Sequence, residues 1–188
     1  MTTDLLDGKR LLITGLVTTD SIAYATAVAA MEAGARITLS SLGRDLEHTR
    51  TAASTLPAEV DIVEADLTVP DHLAQLTDDL RGRWGQLDGV LHAVAFAPRE
   101  ALSGEFLAAG IDPVARAFQT SVHTYASLAK LLQDLAPATG GSLVGLDFDG
   151  SRAWPVYNWM GVCKSALEAT NRYVARDLGA AGIRANLI

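Results

Sequence analysis

The sequence predicts an α/β protein, a doubly wound parallel sheet in three layers, and three observations carry that prediction. Short β-branched or leucine-rich runs alternate with helix-length segments from one end of the chain to the other, the pattern of repeated βα units. Helix punctuation falls where the alternation needs it. With 49% apolar and 20% charged residues in 188, the composition fits one compact domain, residues 1–188, able to bury a sizeable core.

In order, a first strand is expected over Arg10 to Thr14, then a helix from Ser21 to Ala33 with Gly34 at its C-cap. A second strand, Arg36 to Ser40, precedes a helix from Asp45 to Leu56. The third, Val60 to Ala65, leads into a helix from Pro70 to Trp84, where Thr68 three residues before Asp71 resembles a capping box with Pro70 in the first turn. Strand Gly89 to Ala95, a helical stretch from about Ile111 to Ala136, strand Ser142 to Phe148 and a helix from Pro155 to Gly179 follow. Gly182 to Ile188 reads as a turn entering a sixth strand that stops without a cap or polar tail, so the chain is expected to be incomplete at its C-terminus.

A formal charge of −7 argues against a nucleic-acid binder, which normally carries a basic face. Cys163 is the one cysteine and no Cys/His cluster has metal-ligand spacing, so neither an intrachain disulfide nor a metal site is expected, and a cytoplasmic setting fits. No apolar run reaches about 18 residues, so no membrane span is expected.

The turn after the first strand, Gly15 to Ala23, leads into a helix rich in small residues. A helix starting there directs free N–H groups and a positive dipole end at a pyrophosphate, and Gly15 permits the close approach. The generic G-x-G-x-x-G pattern is absent, and an ordinary βα loop with Ser21 as N-cap accounts for the same residues. At the tip of the second strand Ser40-Ser41-Leu42-Gly43-Arg44 offers no carboxylate to a ribose. Arg44 is able to accept a 2′-phosphate, so this loop leaves NADH and NADPH both open. Asp66-Leu67 after the third strand can meet an adenine edge, with helix capping as the rival role for Asp66. His92 to Pro98 ends the fourth strand in small residues that let a ribose and nicotinamide lie against backbone, with His92 itself a strand or rim histidine.

Tyr157 and Lys164 stand seven apart, about two helical turns, so their side chains share a face. A lysine there can hold ribose hydroxyls and lower the cost of a developing anion, and the tyrosine hydroxyl can hydrogen-bond an acyl carbonyl that becomes an enolate. An aromatic and a lysine on an amphipathic helix also give this spacing. His48, His72 and His123 are expected on helices, Trp84 at a helix end, Trp154 and Trp159 flanking the tyrosine, and Arg152 in a salt bridge or against an acyl carrier.

The chain resembles the enoyl-acyl-carrier-protein reductases of the short-chain dehydrogenase/reductase superfamily, mycobacterial type. The resemblance rests on Gly15 with Ser21-Ile22-Ala23, Asp66-Leu67, His92 to Pro98, Asp147-Phe148, Ser151-Arg152-Ala153, Pro155, Tyr157-Asn158-Trp159-Met160 and Lys164 to Glu168. That family has Tyr-x6-Lys, whereas its carbonyl-reducing relatives have Tyr-x3-Lys and an upstream serine; here Met160 and Val144 stand at those positions. Leu42, Ala93 and Ala95 depart from its pattern, replacing an aromatic, a serine and a glycine.

The resemblance implies a Rossmann-like fold, an NADH-dependent oxidoreductase of fatty acid biosynthesis, and a homotetramer acting on enoyl thioesters of acyl carrier protein or CoA. It implies Tyr157, Lys164 and Phe148 as the catalytic group. Cofactor contacts would come from Gly15, Ser21, Ile22, Leu42, Asp66, Leu67, Val94, Ala95, Asp147 and Lys164, and acyl contacts from Phe96, Tyr157 and Met160. It also implies a final strand and a substrate-binding loop beyond Ile188. Two alternatives stay open: a short-chain carbonyl or imine reductase, and an inactive NAD(H)-binding paralogue or fragment.

Overall fold

The computed structural model describes residues 4–188. Six strands form one parallel sheet in the order β3-β2-β1-β4-β5-β6: β1 Arg10–Thr14, β2 Arg36–Ser41, β3 Asp61–Glu64, β4 Gly89–His92, β5 Gly141–Gly145 and β6 Ile183–Leu187. The helices are α1 Ile22–Glu32, α2 Leu46–Ala53, α3 Pro70–Trp84, α4 Arg99–Leu102, α5 Ile111–Phe118, α6 Thr124–Leu135 and α7 Asn158–Leu178.

Strand alternation sorts neighbouring residues onto two cores, as a sheet covered on both faces requires. Leu12, Val90 and Leu143 face α3, α6 and α7, meeting Leu76, Leu80, Leu128, Leu132 and Leu167. Ile13, Leu39 and Leu91 face α1 and α2, meeting Ala23, Ala27, Ala30 and Ala52. The small residues of α1 let that helix lie close to the sheet. Gly34, at φ +96°, ends it as expected: its N–H bonds Met31 and that of Ala35 bonds Ala30, the paired closure of a Schellman turn.

Several boundaries differ from the sequence expectation, each for a visible reason. β4 ends at His92 rather than Ala95 because the Thr14 hydroxyl takes over at that point, donating to Leu91 O (2.9 Å) and accepting from Ala93 N–H (3.2 Å). β5 ends at Gly145 rather than Phe148: Asp147 N–H to Ile188 O (2.7 Å) carries the pairing with the β6 side one step further, and Leu146 O is taken by Lys164 instead of a strand neighbour. The stretch from Ile111 to Leu135 stays helical but widens into a π turn at Gln119–His123. The last helix begins at Asn158, not Pro155, because Val156 sits at φ +55°. Thr68 is not a capping-box residue: Val69 holds the N-cap of α3, and the Thr68 hydroxyl donates to Asp66 instead.

Candidate active site

β1 and β4 are neighbours whose helices leave to opposite faces, and the crevice beyond their C-terminal ends is where this architecture binds ligands. A cleft of about 640 Å³ opens there. Its floor is Gly15 to Val17 and Ala93 to Phe96, its outer wall the tips of β2 and β3, and its far wall α5 and the π turn. Gly15 is required by geometry: at φ +79°, a Cβ would fall 2.0 Å from Ala93 O. Ser121, inside the π turn, holds Phe96 by both backbone groups, accepting from N–H at 3.0 Å and donating to O at 3.1 Å. The loop after β4 is therefore pinned at Ala93 by Thr14 and at Phe96 by Ser121.

Ser21 occupies the N-cap of α1, but its hydroxyl accepts from Val17 N–H (3.3 Å) and Thr18 N–H (3.0 Å) rather than from the helix. It folds the turn and leaves the first helical N–H groups without a side-chain partner, the arrangement that suits an anion. Ile22 beside it is 62% exposed.

On the outer wall, Asp66 Oδ1 accepts from the N–H (2.9 Å) and hydroxyl (2.6 Å) of Thr68. Partial burial pushes its pKa up, but the Thr68 bonds, with His72 and Arg44 nearby, outweigh that and hold it below the usual carboxylate value. His72 Nδ1 accepts from Asp66 N–H (3.1 Å), a helix histidine that orders the turn. Leu42 and Leu67 line the wall, and Arg44 spans the mouth, its guanidinium 5.5 Å from the Phe96 ring centre while pairing with Asp45 at 3.5 Å.

Tyr157, Lys164, Phe148, Asp147 and Met160 lie outside these walls, around the start of α7 and the end of β5. Lys164 is 5% exposed and donates to Leu146 O at 2.7 Å. Burial pushes its pKa down against the opposing pull of Asp147 and Cys163, and the net direction is down. An ammonium has three protons, so two stay available for a ligand. Asp147 stands beside it with Oδ1 buried and unpartnered; burial, with Glu168, raises its pKa against the Phe148 N–H and Lys164. Tyr157 is pushed up by burial, Asp147 and Cys163, which keeps its hydroxyl protonated and able to donate.

The Phe148 ring meets Tyr157 edge-on at 5.0 Å and Trp154 at 5.3 Å. Met160 is buried against Ala101, Ala117, Val122 and Cys163, a wall rather than an open surface. Val156 and Asn158, either side of Tyr157, are left-handed at φ 55° and 40°. For a β-branched residue that conformation costs on the order of 1–3 kcal/mol. Arg152 pairs with Asp149 at 3.3 Å and lies over Trp154, so one of the two roles expected for it, a salt bridge, is present at a mostly exposed position.

The halves join through a buried link. Thr124 lines the cleft and its hydroxyl lies 2.8 Å from His92 Nε2, and Lys164 is close enough to depress the His92 pKa further after burial, down to about 4. His92 ends β4, as expected for a strand histidine, with Nδ1 unpartnered. Sequence reading missed Thr14, Ser121 and Thr124, because a single buried hydroxyl on a strand or helix carries no local signal.

A family model described as enoyl-(acyl carrier protein) reductase matches residues 15–188. The chain belongs to the enoyl-acyl-carrier-protein reductase family. A curated NADH enoyl-acyl-carrier-protein reductase of Mycolicibacterium smegmatis is 41% identical over 190 residues, covering 99% of this chain and 70% of the relative. One from Mycobacterium avium is 42% identical over 187 residues, covering 98% and 69%. One from Neisseria meningitidis is 39% identical over 188 residues, covering 96% and 70%. The Gly15 turn and the Asp66 wall line one cleft, and Lys164 lies outside it, held by Leu146 O beyond the end of β5. No helix among the described residues is long and apolar enough to cross a membrane, and no group of His, Cys, Asp or Glu among them is placed to hold a metal.

Proposed function

We propose that this chain binds NADH and reduces the 2,3 double bond of a trans-2-enoyl thioester in fatty acid biosynthesis. The observation that carries the reading is Lys164: a buried ammonium held by one carbonyl, beside Asp147 and two helical turns along α7 from a protonated Tyr157. The chain's groups suit a dinucleotide. Gly15 lets the turn after β1 pack directly on the Ala93 carbonyl at the cleft floor, the first helical N–H groups of α1 have no side-chain cap, and the buried Asp147 Oδ1 lacks a donor.

The turn from Gly15 to Ile22 would seat the pyrophosphate, Leu42, Asp66 and Leu67 the adenosine, and Val94, Ala95, Asp147 and Lys164 the nicotinamide riboside. When bound, NADH supplies the hydride that adds to C3 of the enoyl thioester. Tyr157 holds the thioester carbonyl and donates more strongly as negative charge grows on that oxygen. Lys164 fixes the ribose hydroxyls and adds positive charge to the same neighbourhood. Phe148 packs edge-on against Tyr157 and, with Phe96 and Met160, shapes the acyl side. C2 takes its proton from solvent or through a relay ending at the tyrosine.

The relatives' names point to acyl carrier protein as the thioester's carrier. A CoA thioester, a homotetramer and a cytoplasmic setting belong to the same proposal. The test is NADH oxidation with a long-chain trans-2-enoyl thioester, alongside NADH binding. Tyr157→Phe should lower turnover by about 100-fold with little change in NADH affinity, and Lys164→Ala should weaken NADH itself. The reverse pattern would remove both assignments.

A further inference from the structure

We infer that residues 104–106 clamp the first turn of α7 and set the direction of the Tyr157 phenol, with Asn158 and Trp159 as positioning residues. The inference rests on the assignment of Tyr157 to the thioester carbonyl for its catalytic meaning, though not for its geometry. Three contacts on two successive residues make the clamp. Asn158 Nδ2 donates to Gly104 O at 3.0 Å, Trp159 Nε1 donates to Phe106 O at 3.1 Å, and the Trp159 and Phe106 rings stack at 4.7 Å and 17°.

Tyr157 needs such a device because its own helix does not supply one. It occupies the N-cap with no side-chain cap, between left-handed Val156 and Asn158. Val156 is 79% exposed, so packing does not hold it there. Asparagine tolerates a left-handed backbone better than most residues, and its amide reaches the loop carbonyl from that conformation. A strained turn persists only where its surroundings over-determine it, and Gly104 and Phe106 provide that constraint from one side while Phe148 meets the Tyr157 ring from another. Rotation of the segment would swing the phenol without disturbing Lys164, which is anchored two turns on by Leu146 O.

The experiment is 19F NMR of protein carrying 3-fluorotyrosine at its four tyrosines, with the Tyr157 line assigned by its loss in Tyr157→Phe. The variant is Asn158→Gly with Trp159→Phe: glycine keeps access to the left-handed backbone and phenylalanine keeps a ring on Phe106, while both donors are lost. Trp159→Phe alone is the milder second variant. Tyr125, fully buried and bonded to Asn171 on α7, reports whether the helix itself has moved. The expected result is a Tyr157 line displaced toward free 3-fluorotyrosine, with the Tyr125 line and NADH affinity unchanged. A Tyr157 line that stays in place overturns the inference. So does joint movement of both lines, because the segment would then support the helix as a whole. Enoyl thioester turnover should fall by about 100-fold in the double variant. A displaced Tyr157 line in a protein that never reduces the thioester would leave the clamp standing and remove the catalytic reading.

Discussion

The cleft over Gly15 and the region around Tyr157 are made in different ways. The cleft is a product of topology: the helices after β1 and β4 leave to opposite faces, Thr14 and Ser121 pin the loop after β4, and backbone with small side chains forms the floor. Its one special conformation belongs to a glycine. The Tyr157 end instead stores cost, with a lysine buried, a carboxylate oxygen unpartnered and two non-glycine residues left-handed. Binding a nucleotide asks for shape and N–H groups. Stabilising a transient anion asks for groups held away from their preferred hydration and geometry, which is where a fold gives up stability.

The sharpest way to break the first half is Gly15→Val, which puts a side chain into Ala93 O and forces a β-branched residue to φ +79°. About 4 kcal/mol should be lost, and thermal unfolding followed by circular dichroism should show a fall of roughly 10 °C. An unchanged midpoint would mean that the β1–β4 junction is loose.

Next in size is the link between the halves. His92 has its pKa depressed from 6.5 to about 4 by burial and by Lys164, so the unfolded chain binds the extra proton first. Its contribution is complete above about pH 6.5 and is lost as pH falls toward 4, worth about 3 kcal/mol across that window. Denaturant titrations at several pH values should show this slope, and it should flatten in His92→Gln; a slope surviving in the variant belongs to other groups.

The smallest effect sharpens the comparison. Val156→Gly removes left-handed strain at a mostly exposed position and should stabilise the protein by about 1 kcal/mol, a net of relieved strain over glycine's extra unfolded entropy. A lower midpoint would show that Val156 makes contacts outweighing its strain.

Much of the frame was legible because its causes are local. The apolar runs placed all six strands, Gly34 its Schellman turn, and Pro70 the first turn of α3. Gly15, Leu42, Asp66, Leu67, Val94, Ala95 and Phe96 line one cleft because they follow strand ends, and strand ends meet at one edge of a parallel sheet. Misplaced boundaries lie where a side chain from another element intervenes, as Thr14 does at Ala93.

The sequence by itself determined the alternation of strands and helices, because periodicity and glycine placement act over a few residues, and its motifs carried the likeness to a reductase family that pointed to Tyr157 and Lys164. Only the tertiary structure decided what those residues can do. Ala93 is held by a hydroxyl 79 residues away, Phe96 by one 25 away, His92 by one 32 away, and Lys164 by a carbonyl 18 away. Such partners are chosen by packing, and the burial that comes with them sets the charge and protonation on which the chemistry depends.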